Sequence, residues 1–296
     1  MTARDFFYRP DGALRAPWRL AGFIALLAVV LRVLSLAASP AARGMSLLAK
    51  QAIGFWVLLA GLVIAHGIML RWVDHAPWST VGLGRRQASP GRLATGFALG
   101  ALCILVPSVG LLSVHWLRPV SAGGNAAAWW SYAAVMFGFF LPQSLAEEML
   151  VRGYVFRTLR DGMGDLAALL VTSAVFGALH LANPGVDAQS VMLVVLAGVF
   201  LGTILLITDS LWAAWMAHFA WNWAMAALLH TAVSGITVPA PDYRVIDAGP
   251  DWATGGTWGP EGGVGAAVGM LAGLLILVAW RRRRATLTTE MIETNG

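Results

Sequence analysis

Charge is scarce in this chain. Only 12% of its 296 residues are Asp, Glu, Lys or Arg, about half the share in an ordinary soluble domain. With 58% hydrophobic residues and a mean hydropathy of +0.71, that scarcity excludes a soluble globular protein. Cysteine is nearly absent: Cys103 stands alone inside an apolar run, which rules out an intramolecular disulfide and any CxxC metal or redox site. No HExxH run and no internal repeat occurs, so a single-helix zinc motif and an inverted-repeat transporter are both unsupported. The net charge is +5, but the basic residues are scattered between apolar stretches instead of forming a groove for phosphates. The implied partner is a lipid bilayer, not a nucleic acid.

What is present is a series of apolar runs, each near the roughly 20 residues needed to cross a bilayer core as helix. Eight are found, at 18–38, 53–73, 93–117, 128–154, 166–181, 190–207, 211–232 and 264–280. They predict an all-α integral membrane protein, a polytopic bundle of about eight transmembrane helices. The expected organisation is an N-terminal segment 1–17, a membrane domain 18–280 and a basic tail 281–296. The first span follows 17 mostly polar residues and is read as a retained anchor, not a cleaved signal.

If both termini are cytoplasmic, fifteen of the twenty basic residues fall on the inner side, four on the outer side, and Arg32 within the first span. That asymmetry favours this orientation, in the cytoplasmic membrane of a bacterium. The Gly- and Pro-rich stretch 237–263 then becomes an outer loop, to which no structure is assigned. The polar tail after Arg284 is expected to be disordered.

Against this background a few polar side chains stand out. A charge near the bilayer centre costs at least ~2.5–3.5 kcal/mol on insertion scales, so it needs a partner or a purpose. The fourth span contains Glu147, Glu148 and Arg152. Glu148 and Arg152 are four apart and share a helix face, whereas Glu147 is rotated by about 100° and cannot join that pair equally. The bland alternative is a solvated cluster at the end of the span. It is disfavoured because apolar residues continue as far as Phe156, which places Glu147 roughly 15 Å below Arg157 at 1.5 Å per residue.

His180 follows an apolar run in the fifth span, and His218 and Asn222 share a face of the seventh. His66, His115 and His230 are read as structural and His75 as a loop residue. A carboxylate, two imidazoles and a carboxamide that converge could hydrolyse an amide, by activating water and binding an oxyanion. The same His/His/Glu set could instead hold a zinc ion with an open position for water, and spacing does not choose between the two.

These residues resemble the CAAX-protease and bacteriocin-processing family of intramembrane proteases, also called the CPBP or Abi family. Its Glu-Glu-x-x-x-Arg pattern is met by Glu147, Glu148 and Arg152, its Phe-x-x-x-His by Phe176 and His180, and its His-x-x-x-Asn by His218 and Asn222. The matching region is 142–222. The resemblance implies an endopeptidase acting on a membrane-associated protein or peptide. It implies that Glu147 and His180 activate water, that His218 and Asn222 form the oxyanion pair, and that Glu148 and Arg152 support them. It assigns no metal, and a zinc ion stays open. Two other classes remain open: a non-catalytic scaffold or bacteriocin-immunity protein, and a transporter using the polar cluster as a proton relay.

Overall fold

The computed structural model describes residues 3–293. Among the described residues ten α-helices follow one another: α1 (Ala3–Phe7), α2 (Ala16–Ala38), α3 (Leu47–Ile68), α4 (Pro90–Ser113), α5 (Ala126–Arg152), α6 (Tyr154–Leu179), α7 (Ala188–Thr208), α8 (Leu211–Trp223), α9 (Asp251–Thr254) and α10 (Val264–Glu293). The eight longer ones fall at the eight predicted places. Six continuous stretches are long and apolar enough to cross a membrane, one of them spanning both α5 and α6. The chain is a polytopic all-α membrane protein.

Its outer surface explains why lipid is the solvent. Val29, Val33 and Leu36 on α2, Leu102, Val106 and Val109 on α4, and Val268, Leu271 and Leu275 on α10 are exposed at helical spacing. An exposed apolar stripe on helix after helix is tolerated only where no water meets it.

Inside the bundle, small residues let backbones approach. A Cβ on Gly96 would come within 2.1 Å of the Ala213 carbonyl oxygen, and one on Gly100 within 1.9 Å of that of Ala217, so α4 lies directly on α8. α8 is also laced to α5 by two indoles, Trp215 donating to the Leu141 carbonyl and Trp223 to that of Ala133. Its start is set by Ser210, whose hydroxyl accepts the Ala213 N–H at 3.1 Å and donates to the Gln87 carbonyl at 2.7 Å. Both ends of the helix that carries His218 are thereby held by α4, α5 and the loop before α4.

The junction between α5 and α6 is fixed in a similar way. Gly153 ends α5, and a Cβ there would meet the His66 Nε2 at 2.2 Å. That nitrogen accepts the Tyr154 N–H at 2.9 Å, while Nδ1 faces the Leu62 carbonyl. His66 is thus a satisfied core residue. Arg19 closes the same end of the bundle, donating to Asp74, Asp161 and the Tyr154 hydroxyl.

Three expectations change. The third span ends at Ser113, and Leu117–Ser121 forms a strand, β1, paired antiparallel with β2 (Tyr243–Asp247). The stretch expected to lack structure therefore carries a strand, α9 and two 3₁₀ turns, because its backbone finds partners in the segment after α4. The tail is also not irregular: α10 continues to Glu293, beyond which the last three residues lie outside the described ones.

Candidate active site

α5 presents two neighbouring rows to the bundle interior. Gln143 and Glu147 lie on one, Ser144, Glu148 and Arg152 on the other, each at four-residue spacing. Pro142 lies inside α5 without ending it.

The second row is a buried ion network. Glu148 has no exposure, and its Oε1 accepts both from Arg152 Nη1 and from His218 Nδ1, each at 2.9 Å. Arg152 donates its other terminal nitrogen to the Gly198 carbonyl at 3.2 Å and lies 4.2 Å from the centre of the Phe176 ring. Its charge is met by a carboxylate, a carbonyl dipole and an aromatic face, although Arg152 Nε and Glu148 Oε2 have no hydrogen-bond partner among the described residues. The expected Glu148–Arg152 pair is present, and it extends to His218, which spacing could not reveal.

The first row is differently used. Glu147 Oε1 accepts from the Gln143 side-chain amide, whereas its Oε2 is buried with no hydrogen-bond partner among the described residues. His218 Nε2 stands 3.7 Å from that oxygen. Because Nδ1 of the same ring is directed at Glu148, Nε2 is the atom His218 offers to the site.

Gln143 was not singled out from the sequence, yet it joins the motifs. A carboxylate at 147 can only accept, so it draws the Gln143 NH₂ and turns the amide oxygen the other way. That oxygen accepts from Asn222 Nδ2 and from the Ser144 hydroxyl, both at 3.1 Å. The Asn222 amide is thereby oriented with its NH₂ inward. The signal was readable, since Gln143 stands four before Glu147 just as Glu148 stands four before Arg152.

His180 caps the end of α6, its Nδ1 directed at the Phe176 carbonyl at 2.8 Å. A carbonyl accepts only, so in the neutral ring Nδ1 carries the proton and Nε2 is an acceptor. Its place at the end of α6 does not separate it from the others. Glu147, His180, His218 and Asn222 all line one cavity of about 310 Å³. Phe55, Leu58, Phe139 and Phe140 form an apolar wall of it.

Among the described residues no three His, Cys, Asp or Glu side chains are grouped so as to hold a metal ion. His218 turns Nδ1 to Glu148 and leaves Nε2 toward the cavity, an arrangement that suits a zinc ligand as well as a hydrogen-bond donor, so this contact does not choose between the two. His115 and His75 do not line this cavity, and His230 is turned to the Tyr243 and Ala227 carbonyls.

Residues 128–224 match the model of the type II CAAX prenyl endopeptidase Rce1-like family, a family of membrane peptidases. The matched segment runs from α5 to the end of α8 and contains every hydrogen-bonding residue of the Glu147–Glu148 cluster, whereas Phe55 and Leu58 of the cavity wall lie outside it. No curated protein and no solved structure matches the chain.

Proposed function

We propose that the Rce1-like endopeptidase domain at 128–224 works here as an intramembrane peptidase using Glu147 as general base. One observation carries this: a buried carboxylate oxygen with no partner, 3.7 Å from an imidazole nitrogen, in a cavity shared with a second imidazole and a carboxamide. Glu148 Oε2 is likewise buried without a partner among the described residues but does not line this cavity, so it is the position of Glu147 on the cavity beside His218 that favours a reactive role.

Glu147 Oε2 and His180 Nε2 both accept, so a water between them is oriented with its protons toward them and its lone pair toward the substrate carbonyl. Glu147 takes one proton as the oxygen attacks. The negative charge that develops on the carbonyl oxygen is met by the Asn222 NH₂ and by His218 Nε2–H. His218 carries that second proton with Glu148 compensating its charge across 2.9 Å. Glu147 then passes its proton to the departing amine, which completes hydrolysis without a covalent intermediate.

The substrate in this reading is a membrane-associated protein or peptide whose apolar part lies along Phe55, Leu58, Phe139 and Phe140. Residues 18–280 form the embedded domain, with 1–17 and 281–296 cytoplasmic, in a bacterial cytoplasmic membrane. The test compares the proteins of membranes containing wild type with those containing Glu147→Gln at matched abundance. Support is a cleavage product present only with wild type. Identical product sets would defeat the proposal.

A further inference from the structure

The connection after α8 reaches the site through one side chain that lies outside the matched domain. Glu261 stands in the 3₁₀ turn Pro260–Gly262. Its Oε1 accepts from the Ser234 N–H at 2.5 Å and the Ser234 hydroxyl at 2.7 Å, and its Oε2 from the Trp221 indole N–H at 3.0 Å. Three donors thus converge on one carboxylate.

Both groups it holds belong to the wall of the site. Trp221 immediately precedes Asn222 on α8. Ser234 lies in the turn closed by the Val233–Ile236 bridge, and its carbonyl accepts from the Asn183 side chain at 3.1 Å. Asn183 is three residues beyond His180, and its backbone N–H donates to the His180 carbonyl at 3.0 Å. Glu261 is therefore a node between the segment carrying His180 and the turn of α8 carrying Asn222. It also lines, with Ser234, His180, His218 and Asn222, a chamber of about 40 Å³ beside the main cavity. That is room for a water molecule or two.

We infer that Glu261 is a positioning residue for the reaction, setting the distance between the water-activating and oxyanion-binding sides of the site. The role rests on the peptidase reading given above. His180 and Asn222 must meet opposite sides of one tetrahedral centre, and nothing within α6 or α8 alone determines their separation. A carboxylate suits this node because every group facing it is a donor. A glutamine would turn an N–H toward the indole or toward Ser234, and an aspartate is one methylene too short to span both.

The experiment uses the full-length protein in proteoliposomes, with a peptide spanning the Glu147-dependent cleavage site as probe. Wild type, Glu261→Gln, Trp221→Phe and the double variant are compared in kcat per folded enzyme, KM and Tm. Misplacement by about 1 Å can cost on the order of 100-fold, so Glu261→Gln should lower kcat by on the order of 10- to 100-fold. KM should stay within about twofold, since the apolar wall is untouched. Trp221→Phe removes the opposing donor and should restore part of the lost rate in the Glu261→Gln background, so that the two changes are not additive.

An unchanged kcat in Glu261→Gln, or a loss that follows Tm alone with additive effects, would overturn the positioning role while leaving the peptidase reading intact. The Tm comparison needs no substrate. Coupling between positions 221 and 261 in Tm, in a protein whose membranes yield no Glu147-dependent product, would overturn the peptidase reading and the positioning role with it, leaving a structural contact.

Discussion

Glu148 receives a guanidinium and an imidazole on a single oxygen, while the adjacent Glu147 receives only the Gln143 amide and lines the cavity; the second oxygen of each has no hydrogen-bond partner among the described residues. In the proposed reaction, a single 100° step along α5 separates a structural carboxylate from a reactive one. Removing either member of the Glu148–Arg152 pair strands a buried charge, so Glu148→Ala and Arg152→Ala should each destabilise by about 3–5 kcal/mol. The double variant should cost clearly less than the sum. Thermal unfolding in detergent measures this, and additive effects would mean the two do not act as a pair. At the oxyanion side, Asn222→Ala should lower kcat by on the order of 10²- to 10³-fold with KM little changed. A rise in KM at unchanged kcat would assign Asn222 to substrate binding instead. The Glu148–Arg152 contact was legible because it lies within one helix at a spacing that geometry dictates. The Glu148–His218 and Gln143–Asn222 contacts were not, since they join α5 to α8 and depend on how two helices are rotated against each other.

At the level of elements, the helices were legible because lipid demands long apolar runs, and hydropathy reads these directly. Their ends were less so. α4 stops at Ser113, where the chain turns into β1, and the partner strand β2 is a short, half-exposed segment that no run of alternating residues announces. Glu261 escaped notice for a related reason: only the folded connection brings it to Trp221 and Ser234. The placement of α8 makes a sharper prediction. A Cβ at Gly100 would lie 1.9 Å from the Ala217 carbonyl oxygen, one residue before His218. Gly100→Leu must push α8 away from α4 and should reduce both stability and turnover, measured as Tm and as kcat per folded enzyme; unchanged values would show that this helix contact does not locate His218. The start of α7 offers a milder test. The Ser190 N–H, and then the Ser190 hydroxyl, hold the Asp187 carboxyl below the usual carboxylate range. A lowered value in the folded state means that this cap stabilises above the usual Asp range and is lost as pH falls through the lowered value. Asp187→Ala should cost about 1 kcal/mol at neutral pH and remove that part of the acid sensitivity, both read from Tm against pH.

For the whole molecule, the apolar outer stripes and the basic asymmetry point the same way. Reporters placed near Arg86 should register the cytoplasm and one near Asp247 the opposite side. Asp247 then lies beside β1 on the outer face, where Glu261 also enters the site. A cytoplasmic signal at Asp247 would invert the arrangement, although the internal geometry of the site would stand. The claim on which everything else depends is that Glu147 takes the proton of water. Its most direct test is single-turnover cleavage by purified wild type and Glu147→Gln, equal in folded amount, in proteoliposomes with the peptide identified from membranes. Glutamine keeps the size of the side chain but cannot serve as a base. The account predicts a loss on the order of 10²- to 10⁴-fold in the chemical step with the protein still folded. Cleavage by Glu147→Gln at the wild-type rate would contradict it.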